Sequence, residues 1–379
     1  MSLINYITQI QFDFGAIHLL KEECARIGMR RPLVVTDKGV RAAGIIDIVL
    51  GALSNAEPVP IYDGTPPNPN EAAVREAVAA YKESDCDGIV AVGGGSAIDL
   101  AKGVAVCATH EGPLQSFAVI EGGSARITSR TAPVVAVPTT AGTGSEVGRG
   151  AILILDDGRK VGVISPFVVP KVAICDPTLT LGLPPVLTAA TGMDAIAHCI
   201  ETFLSPAFNP PADGIALDGL WRAWRHIERV MHQPDDRAGR LNMMSASMQG
   251  ALAFQKGLGC VHSLSHSLGG MNPRLHHGTL NAIFLPAVID FNKDAPSVRD
   301  EDKLNRMAKA MDLGSGAGVA PSVRAMTERL GLPTGLAQLG VTREMFPDIV
   351  RGALKDHSHK TNPRVASESD YMAMLEASM

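Results

Sequence analysis

Gly88-Ile89-Val90-Ala91-Val92-Gly93-Gly94-Gly95-Ser96-Ala97-Ile98-Asp99 is an apolar run that breaks into glycines and resumes in helix-forming residues. A short β-branched run of this kind reads as a buried strand, and the residues after the break as the start of a helix. Glycines at the junction let the backbone approach a ligand closely and take positive φ. Free N–H groups at the helix start then favour a pyrophosphate. The loop is not the G-x-G-x-x-G fingerprint and does not follow the first strand, so its weight comes from its strand–loop–helix setting. The competing reading is a tight turn chosen for geometry alone.

Upstream, Arg31-Pro32-Leu33-Val34-Val35-Thr36 and Val59-Pro60-Ile61-Tyr62 read as strands, and Asn70 to Lys82 as a helix capped by Asn70. Downstream, Pro133-Val134-Val135-Ala136-Val137 is a further strand, followed by the Thr- and Gly-rich loop Pro138–Val147. Strands alternating with helices predict an α/β, doubly wound parallel sheet over residues 1–183. After Leu183-Pro184-Pro185 the strand-like runs largely stop, and Ala189–Phe203, Ala212–Val230 and Leu241–Phe254 read as helices. An all-α second domain over 184–379 follows, and a crevice between two such domains is a common ligand site.

In the first domain, Asp37 ends the strand Leu33–Thr36. A carboxylate there accepts from an adenosine ribose and repels a 2′-phosphate, which points to NAD over NADP; the alternative is a turn or helix cap. In the second, Asp194 and His198 lie four apart in a helical stretch, on one face and a turn from each other. Their neighbours are small and apolar, so both point inward, where ionisable groups need a partner such as a divalent cation. His262 and His266 repeat the spacing and His276-His277-Gly278 follows, which puts four of the eleven histidines between 262 and 277. One carboxylate and three imidazoles suit Fe2+ or Zn2+, with a remaining His left for proton transfer. A lone buried His is more often a satisfied core residue; the cluster reverses that. Arg149, Lys256, His357, His359 and Lys360 read as surface charges by default.

Composition sets outer bounds. With 379 residues, 46% hydrophobic and 19% charged, the chain has an ordinary globular make-up with room for two domains. A net charge of −5 supplies no basic field for nucleic acid. The six cysteines form no CxxC pair, the start shows no leader pattern and no apolar run spans a bilayer, so a reduced cytoplasmic setting away from membranes is expected.

These segments together resemble the iron-activated (group III) alcohol dehydrogenases. The match lies in Gly93–Asp99, Pro138–Val147, Gly192–Glu201, His262–Gly269 and His277–Pro286, spread over most of the chain. The resemblance implies a nucleotide domain, a helical metal domain and a small alcohol or aldehyde substrate, with cofactor and metal in the cleft between. It also implies a homo-oligomer, a dimer. Carried over by position, Asp194, His198, His262 and His277 are the metal ligands, and His266 is the non-ligand histidine near the substrate. Asp37, Gly94, Gly95, Ser96, Asp99, Thr139, Thr140 and Lys160 fall on the NAD side. Many members have one His at the spacing of His276; alignment on Gly278 selects His277, with one residue inserted near Asn272–Arg274. The start Asp13–Gly15 and the stretches Glu121–Thr128 and Pro206–Gly214 resemble a narrower branch, the 4-hydroxybutyrate dehydrogenases. That implies a carboxylate-bearing substrate, for which Arg149 and then His359 and Lys360 are the candidate partners. Alternatives are a short-chain alcohol or diol dehydrogenase (or a lactaldehyde-reductase-like enzyme), a dehydroquinate-synthase-like lyase, or a metal-free reductase or binding protein. Net NADH formation from an added alcohol separates the dehydrogenases from the rest.

Overall fold

The structure, a computed structural model, describes residues 8–54 and 58–379. The opening Met1–Tyr6, read for a leader pattern, lies outside the described residues. Two compact units are present: one runs through Thr140 and takes in Ser145–Gly182, and the other comprises Ala141–Gly144 and Leu183–Met379.

The first unit is built on a six-stranded sheet: β1 (Gln9–Phe12), β2 (Pro32–Val35), β3 (Ile61–Tyr62), β4 (Gly88–Gly93), β5 (Val134–Pro138) and β8 (Val172–Cys175). All pairings are parallel, in the order β1-β8-β5-β4-β2-β3. The central runs are apolar at every position because both faces are covered. Leu33, Val35, Ile89, Ala91, Val134 and Ala136 share a core with the helices Glu71–Glu83 and Gly95–Cys107. Val34, Val90, Val92, Val135 and Val137 share another with Leu20–Arg26 and Ile45–Leu53. Each buried Val, Leu or Ile contributes roughly 1.5–3 kcal/mol. From β2 the chain moves outward to β3, then returns to β4 on the other side of β2, so the strand order reverses between β2 and β4. That reversal is where ligands bind in open parallel sheets, beyond the strand C-termini. Asp37 follows β2 and Gly94 follows β4.

The fold class matches the expectation, with four strands unforeseen. β1 and β8 are four-residue runs, and β6 (Gly150–Ile154) and β7 (Lys160–Ile164) form an antiparallel hairpin outside the main sheet.

The second unit is helical among its described residues. Its central helix, Pro185–Leu204, opens with a proline, whose missing N–H costs nothing at that position. From Thr188 to Leu204 every residue is buried, which is how a helix of small apolar residues on all sides behaves. It packs on Pro210–His232, Arg237–Leu252 and His277–Asn292. Lys256 corrects its reading as a surface charge: it is 1% exposed, paired with Asp213, and donates to Phe203 O at 3.2 Å. Lys303 Nζ, also buried, donates to Ser205 O at 3.1 Å. Two ammonium groups thus satisfy carbonyls at the negative end of that helix. All six cysteines are free. No helix among the described residues is long and apolar enough to cross a membrane.

Candidate metal centre and nucleotide loop

Three helices of the second unit bring the predicted set together. Asp194 and His198 lie on Pro185–Leu204, His262 on Cys260–Met271, and His277 is the first residue of His277–Asn292. The Nε2 atoms of His198, His262 and His277 lie 3.5, 3.9 and 3.8 Å from Asp194 Oδ1. Bonds of 2.0–2.2 Å in a tetrahedral set place ligand atoms about 3.4 Å apart, so these distances suit Asp194 and each imidazole as co-ligands of one cation, and the ligand atoms of Asp194, His198 and His262 lie within 4.8 Å of one another. Asp194, His198 and His262 are at most 4% exposed. Four acceptor-bearing groups turned on one buried point fit a divalent cation of the Fe2+ or Zn2+ kind. His277 faces this point, whereas His276 is exposed and caps the helix from outside it.

The surroundings orient the rings. His198 Nδ1 donates to Gly142 O at 3.2 Å; a carbonyl only accepts, so the proton is on Nδ1 and Nε2 carries the lone pair. His262 Nδ1 bonds Glu201 Oε2, whose other oxygen accepts from Val261 N at 2.8 Å. Glu201 is seven residues beyond Asp194 on the same helix face and is 3% exposed. Burial pushes its carboxyl up to about 8 and pushes His262 well below the usual imidazole range. Asn281, one turn beyond His277, donates from Nδ2 to Asp194 Oδ1 at 2.7 Å; the same Nδ2 lies 3.2 Å from His262 Nε2 and 3.1 Å from His277 Nε2.

His266 lies one turn after His262, stacked on His277 with ring centroids 5.4 Å apart. Its Nδ1 is 3.0 Å from Asp356 Oδ2, and His357 stacks on its other side at 5.6 Å. Asp356 caps the 3-10 turn His357–Thr361. Burial alone would raise its carboxyl, but the imidazoles of His266 and His357 outweigh that and hold it well below the usual carboxylate range.

The glycine loop lies in the first unit, where Gly93 takes φ +149°. Gly94 caps the helix Gly95–Cys107, and Thr140 presses so close that a Cβ on Gly94 would lie 3.2 Å from its side chain. Thr139 N donates to Gly93 O at 3.0 Å. Asp37 does cap the helix Lys38–Ala42, with Oδ1 accepting from Val40 N at 2.9 Å, and its Oδ2 faces Gly93. Ser96 Oγ bonds Pro67 O, and Lys160 Nζ bonds Asn68 Oδ1 at 2.9 Å. Both oxygens of Asp99 are engaged within the protein, by Ser145 Oγ and by Ile152 N at 2.9 Å. Asp37, Gly94, Gly95, Thr139 and Thr140 thus gather at the strand ends around the order reversal.

Arg149 is exposed, just before β6 in the first unit. In the second unit His359 Nδ1 bonds the Tyr371 hydroxyl at 2.9 Å, and Lys360 is exposed. Sequence reasoning gave no role to Glu201, Asn281, Asp356 or His357. Glu201 and Asn281 carried a usable signal, since each follows a metal-ligand candidate at helical spacing (His198 by three, His277 by four); Asp356 carried none.

A family model described as iron-containing alcohol dehydrogenase matches residues 8–177, and one for the C-terminal part of the Fe-containing alcohol dehydrogenase family matches 188–379. The chain is 64% identical over 383 residues to a 4-hydroxybutyrate dehydrogenase of Cupriavidus necator, covering 100% of each. Its fold matches the crystal structure of a 1,3-propanediol oxidoreductase with TM-score 0.92 at 35% identity, covering 100% of both chains. It also matches a sulfoacetaldehyde reductase from Bifidobacterium kashiwanohense in complex with NAD+, with TM-score 0.88 at 27% identity, covering 99% of this chain and 98% of that one.

Proposed function

The chain belongs to the iron-containing alcohol dehydrogenase family, and on that footing we propose that it interconverts 4-hydroxybutyrate and succinate semialdehyde with NAD and one divalent cation, Fe2+ ahead of Zn2+. The observation that carries the cation is the turning of three imidazole Nε2 atoms onto Asp194 Oδ1. The substrate reading is supported by the 64% identity to a 4-hydroxybutyrate dehydrogenase, and the NAD reading by the Asp37 carboxylate beside the glycine loop and by a relative solved with NAD+. The dimer rests on the family resemblance, and the cytoplasmic setting on the cysteine pattern.

When bound, the cation supplies Lewis acidity toward the alcohol oxygen and NAD supplies the hydride acceptor. This chain's own residues do the rest. Asp194, His198, His262 and His277 hold the cation; Glu201 and Gly142 O orient two of those rings. Gly94, Gly95 and Ser96 present backbone donors to the pyrophosphate, with Thr139, Thr140 and Lys160 on the cofactor side. His266 takes up the hydroxyl proton at a ring nitrogen. Arg149, with His359 and Lys360 next, is assigned to the substrate carboxylate.

A substrate panel tests this. With NAD and the metal-loaded protein, 4-hydroxybutyrate is expected to give a kcat/KM at least about tenfold above 1,4-butanediol and 1,3-propanediol, the size of one charged hydrogen bond to substrate. Neutral diols turning over faster would remove the carboxylate from the account, and with it the role given to Arg149.

A further inference from the structure

We propose that Asp356 is a positioning residue that fixes Nε2 of His266 as the atom exchanging the substrate proton. This deepens the reading above and rests on it. Both side chains are 5% exposed, and Asp356 Oδ2 lies 3.0 Å from His266 Nδ1. The carboxylate is itself held: Oδ1 accepts from Ser358 N at 2.7 Å as the cap of the turn His357–Thr361. A carboxylate only accepts, so Nδ1 carries the hydrogen and Nε2 the lone pair.

The other titratable groups facing His266 are His262 on its own helix, His277 on the helix His277–Asn292, and His357 on the turn with Asp356. Asp356 is the acid hydrogen-bonded to it, and Glu201 acts on it electrostatically without a hydrogen bond. In alcohol oxidation the substrate O–H bond breaks and its proton passes to His266 Nε2; NAD, when bound, would supply the acceptor for the hydride that balances the step. The Nδ1–H···Asp356 bond stays intact, so the new imidazolium forms beside a carboxylate already in place. The proton then passes to solvent, and the enzyme returns to its starting state. A second cation among His266, Asp356 and His357, whose ligand atoms lie within 4.8 Å of one another, is the competing reading of the same geometry.

The test uses the metal-loaded chain with NAD and the best alcohol of the panel. His266→Ala is expected to lower kcat by about 100-fold or more. Asp356→Asn lowers kcat about 10–100-fold with KM, NADH affinity and one bound metal per chain unchanged, and Asp356→Glu restores part of the loss. In the His266→Ala background Asp356→Asn costs less than about twofold more, because it acts only through that ring. Multiplied losses in the double variant, or two metals per chain falling to one in Asp356→Asn, overturn the proposal. If His266→Ala turns over normally, proton transfer by His266 fails and this inference falls with it. Nitrogen-15 spectra of the zinc-loaded wild type give a reading that depends on no variant: His266 protonated at Nδ1 is expected, and protonation at Nε2 overturns it.

Discussion

Glu146 shows what a single buried charge does here. It is 2% exposed, and burial pushes its carboxyl up to about 7 against the pull of its own backbone N–H and of Lys102. The ordinary value of 4.5 belongs to the unfolded chain. The folded state therefore holds its proton longer, and stability falls as pH rises between those two values. The loss amounts to about 3 kcal/mol. Glu146→Gln keeps the shape without the titration, so its thermal midpoint should exceed the wild type at pH 8 and approach it at pH 5. An offset of equal size at both pH values would show that Glu146 is not buried as a proton-holding acid. At this scale the sequence was legible where spacing alone carries the message: Asp194 with His198 and His262 with His266 share helix faces by arithmetic. Glu201 with His262 and Asp356 with His266 pair across 61 and 90 residues. No local period encodes such partners.

Among the elements, the close approach of two helices decides whether the histidines meet. A Cβ on Gly278 would lie 2.1 Å from Ala190 O and 3.2 Å from Asp194 Cβ. Only glycine lets the start of His277–Asn292 lie this close to Pro185–Leu204, and that contact carries His277 to Asp194. Gly278→Ala should push the helices apart and weaken metal binding by at least about tenfold, comparable to losing a group that orients a ligand. Competition with a chelator reads this directly, and unchanged affinity would mean that His277 contributes nothing. The long helices were legible because their apolar periods run for many turns, and β2, β4 and β5 because they are apolar at every position. β1 was not: Gln9-Ile10-Gln11-Phe12 alternates for only four residues at the sheet edge. Lys256 was misread because a lysine at the end of a helical stretch looks solvated until the carbonyls it caps are in view.

Taken whole, the chain assigns different chemistry to its two units. The parallel sheet offers the glycine loop at its order reversal, and the helical unit offers one carboxylate and an array of imidazoles. The sequence made both legible as motifs, because glycine runs and helical Asp/His spacing have few other uses. It left the orienting partners and the hairpin unread, because those follow from which surfaces meet. The account depends on four side chains of the helical unit holding one cation. Anomalous diffraction at the iron edge from crystals of the iron-loaded protein tests it most directly. One peak per chain is expected, about 2.0–2.2 Å from an Asp194 oxygen and from Nε2 of His198, His262 and His277. A peak bound through His276, or placed between His266 and Asp356, or no peak in the helical unit at full metal loading, would contradict it.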